Sequence, residues 1–351
     1  MSQTIHNKFI NNKRRVSLRV IALLHVIFAF LSTQAFAQGL DVQSGDVSNA
    51  KPTSQLSARA WLTKMSEAVR ELNYHISFVV LKPGSEAQPY IWRHGISETG
   101  VEMEHLSMLN GPGQEVLRMG DQVSYFEPNV PAYSMRSDVI NGPLPETLLS
   151  APETLLGAYD FVLVGRNRIS GRSAQQIRVV STDGSRFGYV LWLDESTGLP
   201  LKLNMVDLKG HLLEQIQVTA LQVTATPHEH FSRIETSKLP QVIEFNPNKS
   251  LEATWNLAFM PIGMEIVKRD RHRLPYTGQW VDYVMLSDGL VNVSVYLHEK
   301  NGAVADQDLL LRSESNTFLT RNHGSISVTV IGKVPAQTAN AIASSITVAN
   351  Q

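Results

Sequence analysis

The chain has 351 residues, 43% of them hydrophobic, no cysteine and a formal net charge of −1. That length gives room for two domains with cores of their own, at the usual ~150 residues per domain. The missing cysteines exclude disulfides, thiolate metal sites and cysteine nucleophiles, and the near-neutral charge argues against generic nucleic-acid binding.

The first 37 residues read as a secretory signal peptide. Lys8, Lys13, Arg14, Arg15 and Arg19 precede an apolar run from Val20 to Leu31, and Ala35-Phe36-Ala37 follows. Small residues at the −3 and −1 positions, Ala35 and Ala37, place the cut after Ala37. The apolar run is shorter than the ~20 residues a membrane-spanning helix needs. "RRVSLR" (14–19) partly resembles a twin-arginine signal, but plain basic decoration of a general-export signal is the favoured reading. No cysteine stands at the cut to carry a lipid, so the expectation is a soluble protein of the bacterial periplasm. Loss of the five basic residues leaves 26 basic against 32 acidic residues.

Residues 38–55 are small, polar and proline-broken, hence a flexible leader. "SARAWLTKMSEAVREL" (57–72) then puts Trp61, Met65, Ala68, Val69 and Leu72 on one helical face, with Ser57 as N-cap. Beyond it the period changes to two. "YHISFVVL", "QPYIWRHG", "VEMEHLSML", "QEVLRM" and "QVSYFEP" are short strands; "YDFVLVGRNRI", "AQQIRVVST", "RFGYVLWLD", "LPLKLNMVD" and "LLEQIQVTALQV" are longer ones. Turn pairs such as Ser170-Gly171, Asp183-Gly184, Thr197-Gly198 and Lys209-Gly210 join the later strands as an antiparallel meander. Between the two groups, residues 127–159 form a proline-rich interruption expected to hold one or two short helices that plug the sheet or act as a lid.

About ten strands at ~4.8 Å spacing make a wall roughly 48 Å wide, far more than one or two ~10 Å helices can cover. The fold class expected is therefore α+β. A large antiparallel half-barrel over residues 56–224 wraps on its helices, and a smaller α/β unit follows over 242–351. Concavity left unfilled becomes an apolar groove. Alternation nominates Phe78, Val80, Leu201, Leu203, Met205, Ile216 and Val218 as its lining, with burial in the core as the competing reading.

Residues 225–241 read as a polar, proline-flanked linker. In the last unit, "EATWNLAFMPIGMEIV", "WVDYVMLSDGLVNVSVYLHE" and "SISVTVIGKVPAQTANAIASSI" predict a small antiparallel sheet with one terminal helix. Pro335 opens that helix, and Ala339, Ile342, Ala343 and Ile346 form its packing stripe. "VKRDRHR" (267–273) is expected to be a solvated loop, with docking of an acidic partner or anionic lipid as the alternative.

Few residues stand in a pattern that carries chemistry. His228-Glu229-His230 could place two imidazoles on one ion, but no third ligand of matching spacing exists. "GSRFG" (184–188) has its serine in the wrong place for a nucleophile elbow. Phosphate-loop and dinucleotide glycine fingerprints are absent. Asp183, Asp194, Glu195 and Asp288 sit beside turn residues, where carboxylates cap backbone amides. No catalytic residue, metal or cofactor is expected.

The ordered segments "YFEP…PAYSM", "FVLVGRNRISGR…IRVVSTDGSRFGYVLWLDESTGLPLKL", "LSDGLVNVSVYL" and "VTVIGKVPAQTANAIASSI" resemble the RseB/MucB family across nearly the whole chain after the leader. Where that family often has Leu-Pro-x-Gly-Phe, this chain has Met260-Pro261-Ile262-Gly263-Met264. The resemblance implies a large domain similar to the lipoprotein-carrier fold and a smaller α/β domain. It also implies a periplasmic negative regulator of the sigma-E envelope-stress response. Such a protein binds the periplasmic part of a membrane anti-sigma factor (RseA/MucA-like), shields it from proteolysis, and lets go on a lipopolysaccharide or lipoprotein-derived signal. Self-association into a homo-oligomer is implied as well. The alternative is a soluble periplasmic lipid or lipoprotein carrier using the same groove.

Overall fold

The computed structural model describes residues 56–243, 255–273, 280–300 and 307–348. The signal peptide, its Ala35 and Ala37, and the leader lie outside the described residues. Helix α1 (Ala58–Glu71) begins where Ser57 caps it, its hydroxyl accepting the Ala60 N–H at 3.2 Å. Its apolar face, with Trp61, Leu62, Met65 and Val69 buried, lies against the concave side of a large sheet.

Among the described residues that sheet has eleven strands in two meanders. The first is β1 (Asn73–Leu81), β2 (Gln88–Ile96), β3 (Glu102–Met108), β4 (Gln114–Met119), β5 (Gln122–Phe126) and β6 (Tyr133–Arg136). The second is β7 (Tyr159–Ile169), β8 (Arg172–Ser181), β9 (Gly188–Asp194), β10 (Pro200–Val206) and β11 (Leu212–Thr224). Each meander is joined by short turns, such as Ser170-Gly171, where both residues have positive φ (49° and 79°), as a two-residue primed turn requires. The meanders meet through β1 and β11, with Val80 opposite Ile216 and Phe78 opposite Val218. The strand order is therefore β6-β5-β4-β3-β2-β1-β11-β10-β9-β8-β7, with β6 and β7 as its outermost strands and β6 bridged in parallel from Ser134 to Val242. β6 lies inside the stretch expected to be free of strands. It is four residues long and proline-flanked, too short to show a period.

The rest of that stretch fills the concavity. Helix α2 (Glu146–Ser150) and a 3-10 turn (Pro152–Leu155) carry Leu148, Leu149 and Leu155, all fully buried, while Leu156 points outward.

Residues 225–241 do not hang free. They cross the convex side of the first meander, where Phe231 is buried with Met103 and Leu117. This covering explains why β3, β4 and β5 bury consecutive residues instead of alternate ones.

The smaller part contains β12 (Trp255–Leu257), β13 (Glu265–Arg273), β14 (Trp280–Ser287), β15 (Asn292–Glu299), β16 (Leu309–Ser313), β17 (Asn316–His323), β18 (Ile326–Gly332), helix α3 (Ala336–Ser344) and β19 (Ile346–Val348). Six of these strands form a sheet in the order β13-β14-β15-β18-β17-β16, and β12 pairs with β19. Pro335 stands at the N-cap of α3, and Ala339, Ile342, Ala343 and Ile346 are buried in the core beneath this sheet. The basic run expected as a loop is instead edge strand β13, paired with β14 along its length. Edge strands tolerate charge, and aromatic rings support these cations: Lys268 lies 5.9 Å from the Tyr283 centroid, and Arg271 and Arg273 lie 5.8 and 5.5 Å from Trp280. Among the described residues no helix is long and apolar enough to cross a membrane.

Candidate functional site

Alternation sends Phe78, Val80, Leu201, Leu203, Met205, Ile216 and Val218 to the concave side, and there each is at most 5% exposed. Beneath α2, Phe78, Leu203, Ile216 and Val218 border a void of only ≈10 Å³ with Trp92 and Leu149. The middle of the half-barrel is filled by its own side chains.

Open space lies at the mouth instead. A cavity of ≈360 Å³ is bordered by Val80, Lys82, Tyr90, Leu106, Val116 and the 141–143 turn. A second, of ≈550 Å³, is bordered by Leu203, Met205, Tyr189, Glu146, Leu290 and Ile331. Asn141, Gly142, Pro143, Glu214 and Lys333 line both, which makes them neighbours along one cleft between the large and the small sheet. Leu201 borders neither cavity.

The cleft is amphipathic. Its apolar floor comes from both sheets, and its rim carries Lys82, 2.8 Å from Glu314, and Lys333, 3.5 Å from Glu214. Glu146, at the first turn of α2, is pushed up to about 8 by burial and then by the nearby Glu104 carboxylate. Such a raised value keeps the carboxyl mainly in its protonated form at neutral pH.

The wall of the cleft is held by a polar knot. Arg186 Nη1 donates to Asp288 Oδ2 at 2.6 Å, and Tyr159 O–H donates to the same oxygen at 2.8 Å. The guanidinium lies 4.9 Å from the Tyr159 ring centroid. Asp288 Oδ1 accepts the N–H groups of Leu290 and Val291, the turn-capping role expected of it. Asp183 accepts from Ser181, Ser185 and the Ile262 N–H. Burial alone would raise the Asp183 carboxyl, but these hydrogen bonds outweigh it and hold it far below the usual range. Thr338 O–H adds a bond to the Ser185 carbonyl at 2.7 Å. Close approach reinforces the junction, since a Cβ on Gly263 would come within 2.7 Å of Ala158. Sequence reasoning named Asp183 and Asp288 as turn residues but missed Arg186, Glu214, Lys333 and Glu146. The partners that place them at the cleft lie far away in sequence, as Asp288 does for Arg186 and Glu214 for Lys333, where no local pattern reaches.

His228 and His230 do not converge on one point. His228 meets His75 edge-on and His230 stacks on His105. No group of side chains able to hold a metal ion occurs among the described residues.

The chain matches the MucB/RseB N-terminal domain over residues 57–243 and the MucB/RseB C-terminal domain over 249–347. It is 32% identical over 300 residues to the sigma-E factor regulatory protein RseB of Salmonella typhimurium, covering 85% of this chain and 93% of that protein. To the sigma factor AlgU regulatory protein MucB of Pseudomonas aeruginosa it is 31% identical over 317 residues, covering 86% and 94%. Two solved structures share its architecture. The Pseudomonas aeruginosa MucA/MucB complex has TM-score 0.67 at 28% identity, over 84% of this chain and 99% of that one. MucB in complex with MucA(peri) has TM-score 0.65 at 29% identity, over 84% and 100%. With both domains matched in order and the relatives covered almost end to end, the chain belongs to the MucB/RseB family.

Proposed function

We propose that this protein is a periplasmic regulator that grips the periplasmic part of a membrane anti-sigma factor, shields it from proteolysis, and is displaced by an amphipathic ligand. The observation that carries this reading is the match, over both sheets, to a MucB whose structure is that of a complex with MucA. In this reading residues 1–37 are an export signal, 56–224 the large domain, 225–241 the connector and 242–351 the small domain. A homo-oligomer belongs to the same reading.

The mouth of the half-barrel is where the release ligand acts. Apolar side chains of Val80, Leu106, Leu203 and Met205 suit an acyl chain, and Lys82 and Lys333 suit an anionic headgroup, phosphate or carboxylate. Release is competition: a ligand that binds the free form better than the partner-bound form lowers occupancy by its differential affinity. The carrier alternative accounts for the large sheet but leaves the small sheet, knotted to it through Arg186 and Asp288, without a role.

The test is recovery of the partner. Protein immobilised and exposed to a membrane-protein fraction from unstressed cells should retain an anti-sigma factor, and truncation after residue 240 should abolish that retention. If the truncated chain kept its full hold on the anti-sigma factor, or none were recovered by the intact chain, the reading would fail.

A further inference from the structure

The connector crosses the large sheet along one cross-strand row. Register sets His75, Arg93, His105, Leu117, Ser124 and Ser134 side by side on β1 to β6. Over that row the connector lays its own side chains in sequence. His228 meets His75 with ring centroids 4.9 Å apart, and His230 stacks on His105 at 4.2 Å. Phe231 is buried on Leu117, and the Pro240 carbonyl accepts from Ser134 O–H at 2.8 Å.

Hydrogen bonds occupy Nδ1 of His228 and Nδ1 of His105. His228 Nδ1 accepts the backbone N–H of His230 at 3.0 Å. His105 Nδ1 accepts from Arg93, which can only donate, at 2.9 Å, so its Nε2–H donates to Glu115 at 3.3 Å. A proton added at either Nδ1 removes the hydrogen bond made there. Protonated rings would also place like charges against one another in the edge-on His228–His75 and stacked His230–His105 contacts.

We propose that residues 225–241 form a pH-released strap, fastened across the convex face while His228 and His230 are neutral and let go when they are protonated. Release lengthens the tether between the two sheets.

The charged groups around the two rings divide, and those opposing a positive charge outnumber those favouring it. His75 of β1, Arg93 of β2 and His105 of β3 oppose a positive charge on the strap. Glu115 of β4 favours it, and within the strap Glu229 favours it while Arg233 opposes it. Glu229 is engaged by Arg233 at 2.7 Å and is largely exposed. Burial first, then His105 and Arg93, pushes His230 down to about 4. Burial and Arg93 lower both His228 and His75.

A base held below its free value favours the docked form above its free pKa of ~6.5, and that preference drains away as pH falls toward the docked value. At pH 5.5 His230 alone then shifts docking by at most about tenfold, less for solvent screening.

Hydrogen exchange tests this on the full chain, read as protection factors for the amides of residues 230–234 at pH 7.5 and 5.5. Amides of α1 and β10 report global folding. Wild type is expected to lose up to about tenfold in protection of the strap at pH 5.5 with the reporters unchanged. His228→Asn combined with His230→Phe removes titration while keeping an acceptor for the residue-230 N–H and a ring for the stack. That variant is expected to keep its protection. Unchanged wild-type protection at pH 5.5, or a variant that loses as much as wild type, would overturn the proposal. Should the double variant not fold, His230→Phe alone is read by the same criterion.

Discussion

Arg186 and Asp288 form an ion pair of 2.6 Å between side chains that are almost entirely withdrawn from water, at 0% and 1% exposure. The pair joins a turn of the large sheet to a turn of the small one. Desolvating two charges offsets most of their attraction, so the pair adds little net stability, but removing Asp288 leaves the buried Arg186 with only its longer, 3.3 Å contact to Asp183. Asp288→Ala is expected to cost about 3–5 kcal/mol in chemical denaturation. Replacing both together, as Arg186→Met with Asp288→Asn, which keeps an acceptor for the Leu290 and Val291 N–H groups, should recover much of that loss. An Asp288→Ala protein as stable as wild type would show that the knot does not hold the junction.

Glu146 gives the fold a pH dependence of the opposite sign from the strap. Its carboxyl is raised in the folded chain from 4.5 to about 8, so the folded state holds a proton that the unfolded state has released. Its contribution is harmless below about pH 4.5 and grows into a penalty as pH rises toward 8. Glu146→Gln removes the charge and keeps the shape. Its melting temperature should match wild type at pH 4 and exceed it increasingly up to pH 8.5. Parallel curves across that range would contradict the raised carboxyl.

The strands were legible because alternation is a local signal, and residues such as Leu201, Leu203 and Met205 face the side their spacing assigns. Depth was not legible. Nothing local tells a groove from a plug, and the three buried leucines of 148, 149 and 155 close the centre while the open space falls at the mouth. β6 was lost because four residues among prolines have no period. The strap looked like a spacer because its His, Phe and Pro residues find partners only through the register of six strands. Charge misled at β13, where cations on an edge strand lean on Trp280 and Tyr283 rather than on solvent alone.

Leu149 tests whether the centre is a plug. It is fully buried and borders the ≈10 Å³ void under α2. Leu149→Ala should destabilise the protein by about 2–5 kcal/mol and open an apolar cavity that takes up a small apolar probe such as benzene. Leu156→Ala, seven residues further on but 41% exposed, should change stability by no more than about 0.5 kcal/mol. Equal effects at the two positions would mean that the segment is not packed as described.

Lys333 tests the chemistry of the mouth. Its ammonium sits 3.5 Å from Glu214, a long contact that an anionic headgroup can take over, and it is partly exposed at the cleft both cavities share. Lys333→Ala should weaken binding of dodecyl phosphate by about two- to fivefold in calorimetry, the scale of one screened charge contact. Binding of a neutral amphiphile of the same chain length should be unaffected, because the apolar floor is untouched. The loss should also shrink as salt is raised, since the contact is exposed enough to be screened. An equal loss for charged and neutral amphiphiles would mean that Lys333 shapes the cleft without contacting the headgroup.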